Sequence, residues 1–141
     1  MENNNPANMR ESGIPWNGRV PGIPMGDFLK FKDMGSGVRA LAKNLISWKT
    51  KHNFDNLQQG ITRFAPPSEN DTSKYISAVA KYMGVKPDQT VDFTDKATVH
   101  KLVPAMLQQE VGDWSKQIDP AVISNAVESA FAGLKLPKKV P

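Results

Sequence analysis

Glu110 stands where the spacing of its neighbours calls for an apolar residue. Upstream of it, Val99, Leu102, Val103, Met106 and Leu107 recur at the i, i+3, i+4, i+7, i+8 positions of one helical face, and position 110 is the next step of that stripe. A carboxylate there points toward the core at the last turn of a helix, just before Gly112 can end it. Burial disfavours the charged form of a carboxyl and raises its pKa, which suits a general acid working near neutral pH. The same side chain leaning outward would be an ordinary solvated glutamate. Two other acids compete for the role. Glu69 lies in the turn Pro66-Pro67-Ser68-Glu69-Asn70-Asp71-Thr72, where a carboxylate can cap the free amides of a starting helix and would have its pKa lowered. Glu11, in Arg10-Glu11-Ser12-Gly13, has no apolar helix before it to bury it. Glu110 is the first candidate for the catalytic acid and Glu69 the second.

Amides and aromatic rings supply the rest of the chemistry. Asn5, Asn8 and Asn70 are candidates for gripping hydroxyl and N-acetyl groups, and equally for closing turns and capping helices. Trp16 and Trp48 offer faces to a sugar ring, Trp48 also fitting a core edge beside its own helix stripe. Tyr75 can touch a substrate, although its periodicity points first to core packing. Carboxylates, amides and aromatic faces together suit a carbohydrate site.

Other chemistries are excluded by what they would require. His52 and His100 lie in different segments without ligand partners at useful spacing, and the chain has no cysteine, so no metal site is expected. There is no Gly-x-Ser-x-Gly elbow and no glycine-rich phosphate loop, and no cofactor is implied. The net charge of +4 and pI near 9.4 favour a polyanionic partner: nucleic acid, an anionic membrane surface or the bacterial cell wall. Basic residues scattered over solvated helix faces, without aromatic interleaving, give no platform for specific nucleic-acid recognition. No apolar stretch approaches the roughly 18 residues a span needs, so membrane contact would be peripheral and not integral. The start, MENNNPANMRESG, has no hydrophobic segment and does not resemble a secretory signal, which implies synthesis in the cytoplasm.

The elements that must position these groups follow from the same pattern. The 141 residues suit one domain, 1–141, divided into an irregular segment 1–34, a helical core 35–133 and a tail 134–141. In the first part, pieces around Trp16–Val20 and Asp27–Phe31 could pair as a small β-hairpin. Val38, Leu41, Ala42, Leu45 and Ile46 predict a helix from Ser36, as N-cap, to Lys51. A shorter helix is expected from Phe54 to Arg63, ahead of Pro66-Pro67. Tyr75, Ile76, Val79 and Met83 predict a third, which begins near Asp71 or Thr72 and ends at Gly84. Thr94 or Asp95 can cap the helix that carries Glu110, with a kink or a fresh start at Pro104. Asp119-Pro120 opens a last helix whose stripe is Val122, Ile123, Ala126, Val127, Ala130 and Phe131. Residues Pro137 to Pro141 are expected to fray. The fold class expected is mainly α, with a small N-terminal hairpin or irregular segment at one edge of a cleft.

The runs Asn3-Asn4-Asn5-Pro6-Ala7-Asn8-Met9-Arg10, Trp16-Asn17-Gly18 and Phe28 to Phe31 resemble the start of a family of short phage and prophage proteins. These are commonly called phage structural proteins and look like virion-associated peptidoglycan-degrading enzymes. The likeness continues through Gly37-Val38-Arg39-Ala40-Leu41, Leu45-Ile46-Ser47-Trp48 and Ile61-Thr62-Arg63-Phe64-Ala65-Pro66-Pro67-Ser68-Glu69-Asn70-Asp71-Thr72, then Tyr75. It closes at Gln109-Glu110-Val111-Gly112, where the family has a helix ending Glu-Asn-Gly, and spans roughly residues 3–130. Ala7 stands where the family usually has glycine, and Val111 replaces a polar residue beside the glutamate. The end of that helix is also similar to the one that presents the catalytic glutamate in lytic transglycosylases, although there it precedes a hairpin and here it lies near the C-terminus.

The resemblance implies a lysozyme-like helical domain and a virion-associated glycosidase. That enzyme would cut the MurNAc-GlcNAc bond of bacterial peptidoglycan as a lytic transglycosylase or a lysozyme, at the host periplasm and cell wall. It implies other virion proteins as neighbours. The alternative is a non-enzymatic phage structural protein that binds cell wall or DNA; positive charge serves both.

Overall fold

The computed structural model describes residues 3–135, and the expected frayed tail lies outside them. Five α-helices follow an irregular N-terminal arm: α1 (Met34–Thr50), α2 (Leu57–Phe64), α3 (Thr72–Met83), α4 (Lys96–Val111) and α5 (Pro120–Phe131), with a 3₁₀ segment, Gly112–Gln117, between the last two. The mainly α expectation holds. Each helix starts at a side-chain cap that accepts a free backbone N–H. Asp33 caps α1 through Ser36 N, Asn56 caps α2 through Gln59 N, and Asp71 caps α3 through Lys74 N. Asp95 and Asp119 do the same for α4 and α5. Two expected starts therefore move. Ser36 is not the cap of α1, because Asp33 reaches its amide at 2.8 Å and draws Met34 and Gly35 into the first turn. Phe54 lies outside α2 and stacks on His52.

The apolar stripes pack as their spacing requires. In α4, Val99, Leu102, Val103, Met106 and Leu107 are fully buried, and the helix runs unbroken through Pro104. No second helix starts at that proline. Helix α4 contacts α1, α3 and α5, and α1 lies along α5. Trp48 of α1 is buried against Phe93 and Phe64, edge-on, at ring distances of 5.1 and 6.5 Å. Gly60 lets α2 cross this ring at close range, since a Cβ there would collide with the indole.

The arm departs from the hairpin expectation. Among the described residues there is no β-strand; two isolated antiparallel bridges, Arg10↔Phe28 and Arg19↔Phe31, take its place. The segment around Asp27–Lys32 is hydrogen-bonded on one side to Met9 and Glu11 and on the other to Gly18 and Val20. Pro15, Pro21 and Pro24 lack the N–H a ladder needs, so pairing stops after single bridges. Asn5 supplies what the missing ladder does not. Its buried amide donates to Met9 O (2.8 Å) and Leu29 O (2.9 Å) and accepts from Met9 N (3.0 Å). The arm then lies on α1 at Gly37, where an added Cβ would strike the carbonyl oxygen of Asn4.

Candidate functional site

A cleft of about 750 Å³ opens between the arm and the helices. The arm lines it with Asn8, Arg10, Ser12, Ile14, Trp16 and Phe28; α1 adds Asn44 and Trp48. The end of α2 and the connection to α3 bring Arg63, Phe64, Pro66, Glu69 and Asn70, and α4 brings Glu110. Six residues singled out from the sequence thus share one cleft: Asn8, Trp16, Trp48, Glu69, Asn70 and Glu110.

Glu110 is half-buried in the last turn of α4, at the step its stripe predicts. Asn8 Nδ2 donates to Glu110 Oε1 at 3.2 Å and lies 3.5 Å from its carbonyl oxygen. Asn8 reaches it from a left-handed backbone, φ 51°, a conformation asparagine tolerates better than most residues. Burial pushes the Glu110 carboxyl above its ordinary value, and contacts with Tyr75 and Asn8 offset part of that rise. Tyr75, from α3, is buried behind it and does not line the cleft. Its hydroxyl has no hydrogen-bond partner of ordinary geometry among the described residues, and it is pushed up by burial and by the neighbouring Glu110 charge. Tyr75 therefore faces the carboxyl and not the open cleft.

The other expected groups take different places. Asn5 is buried in the arm and its polar atoms are spent on backbone groups, away from the cleft. Glu69 is exposed on the cleft wall, and the capping role open to it belongs to Asp71. Asn70 donates to Pro66 O at 3.3 Å, which closes the turn that carries both. Trp48 reaches the cleft only at its rim, because its ring is packed in the core and its Nε1 donates to Asn44 at 3.1 Å. Glu11 corrects an expectation: it is buried, held by Arg19 at 2.8 Å and by the Gly13 amide. It does not line the cleft.

Arg10, Phe28, Asn44 and Arg63 are lining residues that sequence reasoning did not single out. Arg10 packs over the Phe28 ring at 4.3 Å across the first bridge, a pairing no local pattern announces. Arg63 had a signal, since it sits in the string leading into Ala65-Pro66-Pro67. Among the described residues, no group of three or more His, Asp or Glu is placed to hold a metal ion, and no helix is long and apolar enough to cross a membrane.

Fold and cleft together define a small, mainly helical domain with a half-buried glutamate facing a polar cleft. In sequence the chain is 32% identical over 115 residues to Protein P5 of Pseudoalteromonas phage PM2, covering 79% of this chain and 70% of that protein. The chain belongs to the family of that phage protein. No protein-family model matches it.

Proposed function

We propose that the chain is a virion-associated peptidoglycan glycosidase of the lytic transglycosylase type, which cuts the MurNAc-GlcNAc bond as the phage penetrates the host wall. Glu110 carries the reading: a carboxyl whose pKa is raised by burial, oriented by Asn8, opening into a cleft that also holds amides and aromatic rings. As the acid, Glu110 gives its proton to the bridging oxygen while the bond to the anomeric carbon breaks. As the resulting carboxylate it takes a proton from the muramic 6-hydroxyl, whose oxygen closes onto that carbon to leave an anhydro end. Asn8, Asn70 and Trp16 line the cleft; in this reading the amides bind N-acetyl and hydroxyl groups and the indole stacks on a ring. Tyr75 packs behind the acid, and Asn5 holds the arm that carries Asn8. The acid at a helix end, across a cleft from an irregular segment, is the lysozyme-like feature of this arrangement. Such a protein would be made in the bacterial cytoplasm, carried among other virion proteins and active in the host periplasm.

A second reading has its own observation. Glu69 lines the same cleft, and a paired carboxylate is what a lysozyme-type hydrolase uses to activate water or form a covalent intermediate. Incubation with purified peptidoglycan, followed by turbidity and mass spectrometry of the products, separates the readings. Anhydromuropeptides are expected. Reducing ends would assign the hydrolase and Glu69 a direct role, and intact glycan would sink both.

A further inference from the structure

Two arginines line the cleft, and protonating a glycosidic oxygen needs neither of them. Arg63 projects from the last turn of α2 and is exposed; among the described residues its side chain forms no ion pair and no hydrogen bond. Arg10 is fixed in place over the Phe28 ring, with Nη1 donating to Gly26 O at 2.8 Å. One of its five N–H donors is committed there, and the rest of the fork is open among the described residues. Of the two carboxyls in the lining, Glu110 is half-buried against Asn8, and neither is paired with these guanidinium groups. A neutral polysaccharide offers nothing to two such open forks. Peptidoglycan does, because the peptide stems beside its sugars carry free carboxylates, and an arginine fork binds a carboxylate through paired N–H donors.

We propose that Arg63, with Arg10, binds carboxylates of the peptide stems and makes the cleft select peptide-bearing glycan over bare glycan. This rests on the glycosidase reading for the choice of polymer, yet it is read by binding and so is separable from catalysis. The experiment measures binding of the Glu110→Gln protein to purified sacculi and to the same sacculi stripped of peptide by an amidase. A charge-assisted hydrogen bond converts to about 10- to 100-fold in affinity. The parent should therefore prefer intact sacculi by at least about tenfold. Arg63→Ala should lose that preference without weaker binding to stripped glycan, Arg10→Ala should reduce it, and Arg63→Lys should restore only part, having charge without the fork. Lys81→Ala removes the same charge from an exposed face of α3 and should change neither binding, which separates a site from general attraction. Equal parent binding to both polymers would overturn the proposal, as would full preference in a folded Arg63→Ala protein. Lysis by the unmodified protein reports on the glycosidase reading alone: arginine-dependent preference without lysis keeps this inference and discards that one.

Discussion

The arm and the helical body are held together by different forces, and the cleft lies where they meet. After Asp33, order comes from apolar stripes: Leu41, Leu45, Leu102, Met106 and Val127 are removed from water, and caps satisfy the helix starts. Before Asp33, Leu29, Phe31, Met9 and Ala7 reach the core, while Ile14, Val20, Met25 and Phe28 remain exposed. What orders the arm is polar: the Asn5 amide, the Glu11–Arg19 pair and two single bridges. The two regions place different things. The body delivers Glu110, the proposed acid, because a helix under packing constraint fixes its last turn. The arm delivers Asn8 and the rings around it, because short polar side chains can hold a chain that lacks regular structure.

The comparison breaks most sharply at the acid itself. Glu110→Gln keeps shape and hydrogen-bonding capacity but removes the proton, so cell-wall lysis should fall by about 100-fold or more while the folded structure persists. The melting temperature should hold or rise, since a desolvated carboxyl is replaced by a neutral amide. Glu11→Gln weakens the pair with Arg19 in the arm but leaves the cleft's own carboxyls in place, so it should lower lysis far less than Glu110→Gln. Retained lysis in the Glu110 variant would move the acid to Glu69.

Gly37→Ala attacks the contact between the regions. The new Cβ meets the Asn4 backbone, so the arm must lift from α1. Overpacking of this kind costs about 1–3 kcal/mol, and misplacing a substrate-positioning wall by about 1 Å can cost on the order of 100-fold in rate. Lysis should therefore drop far more than helical content by circular dichroism; proportional loss of both would mean the arm is part of the body.

Asn5→Ala loosens the arm from within. It leaves the Met9 amide and the Leu29 carbonyl without their Asn5 partner, while Met9 O keeps the Leu29 N–H, a cost of about 1–3 kcal/mol. Hydrogen exchange should accelerate at Met9 and Leu29 and stay slow in α4. Uniform acceleration would show that the arm and body unfold together.

The smallest effect concerns pH. The folded chain holds the Glu110 proton more tightly than the unfolded chain, because its carboxyl is raised above the ordinary 4.5. Stability from this group is therefore complete below that range and lost as pH rises through the folded value. Thermal unfolding of parent and Glu110→Gln should coincide in acid, with the variant gaining on the parent toward neutrality. A gap that closes as pH rises would reverse the assignment.

Much of the body was legible along the chain. A helix repeats on the scale of a few residues, so Val99 to Leu107 announce the face on which Glu110 sits, and Asp119-Pro120 announces a start. Boundaries were less so: Asp33 wins the cap of α1 over Ser36 because its side chain reaches an amide three residues on. The arm was legible in composition but not in pairing, since its prolines forbid a ladder without saying which single bridges survive. Local pattern determined that a carboxylate would end an apolar helix, that asparagine and aromatic residues would be at hand, and that no cysteine chemistry was open. Tertiary structure decided which of them meet. Asn8 and Glu110 are 102 residues apart in the chain yet within hydrogen-bond distance, and Glu11 is buried by an arginine whose position depends on a bridge to Phe31. Spacing along one element reports a face; contacts between distant segments depend on how the faces are closed against one another, and no single stretch of sequence contains that.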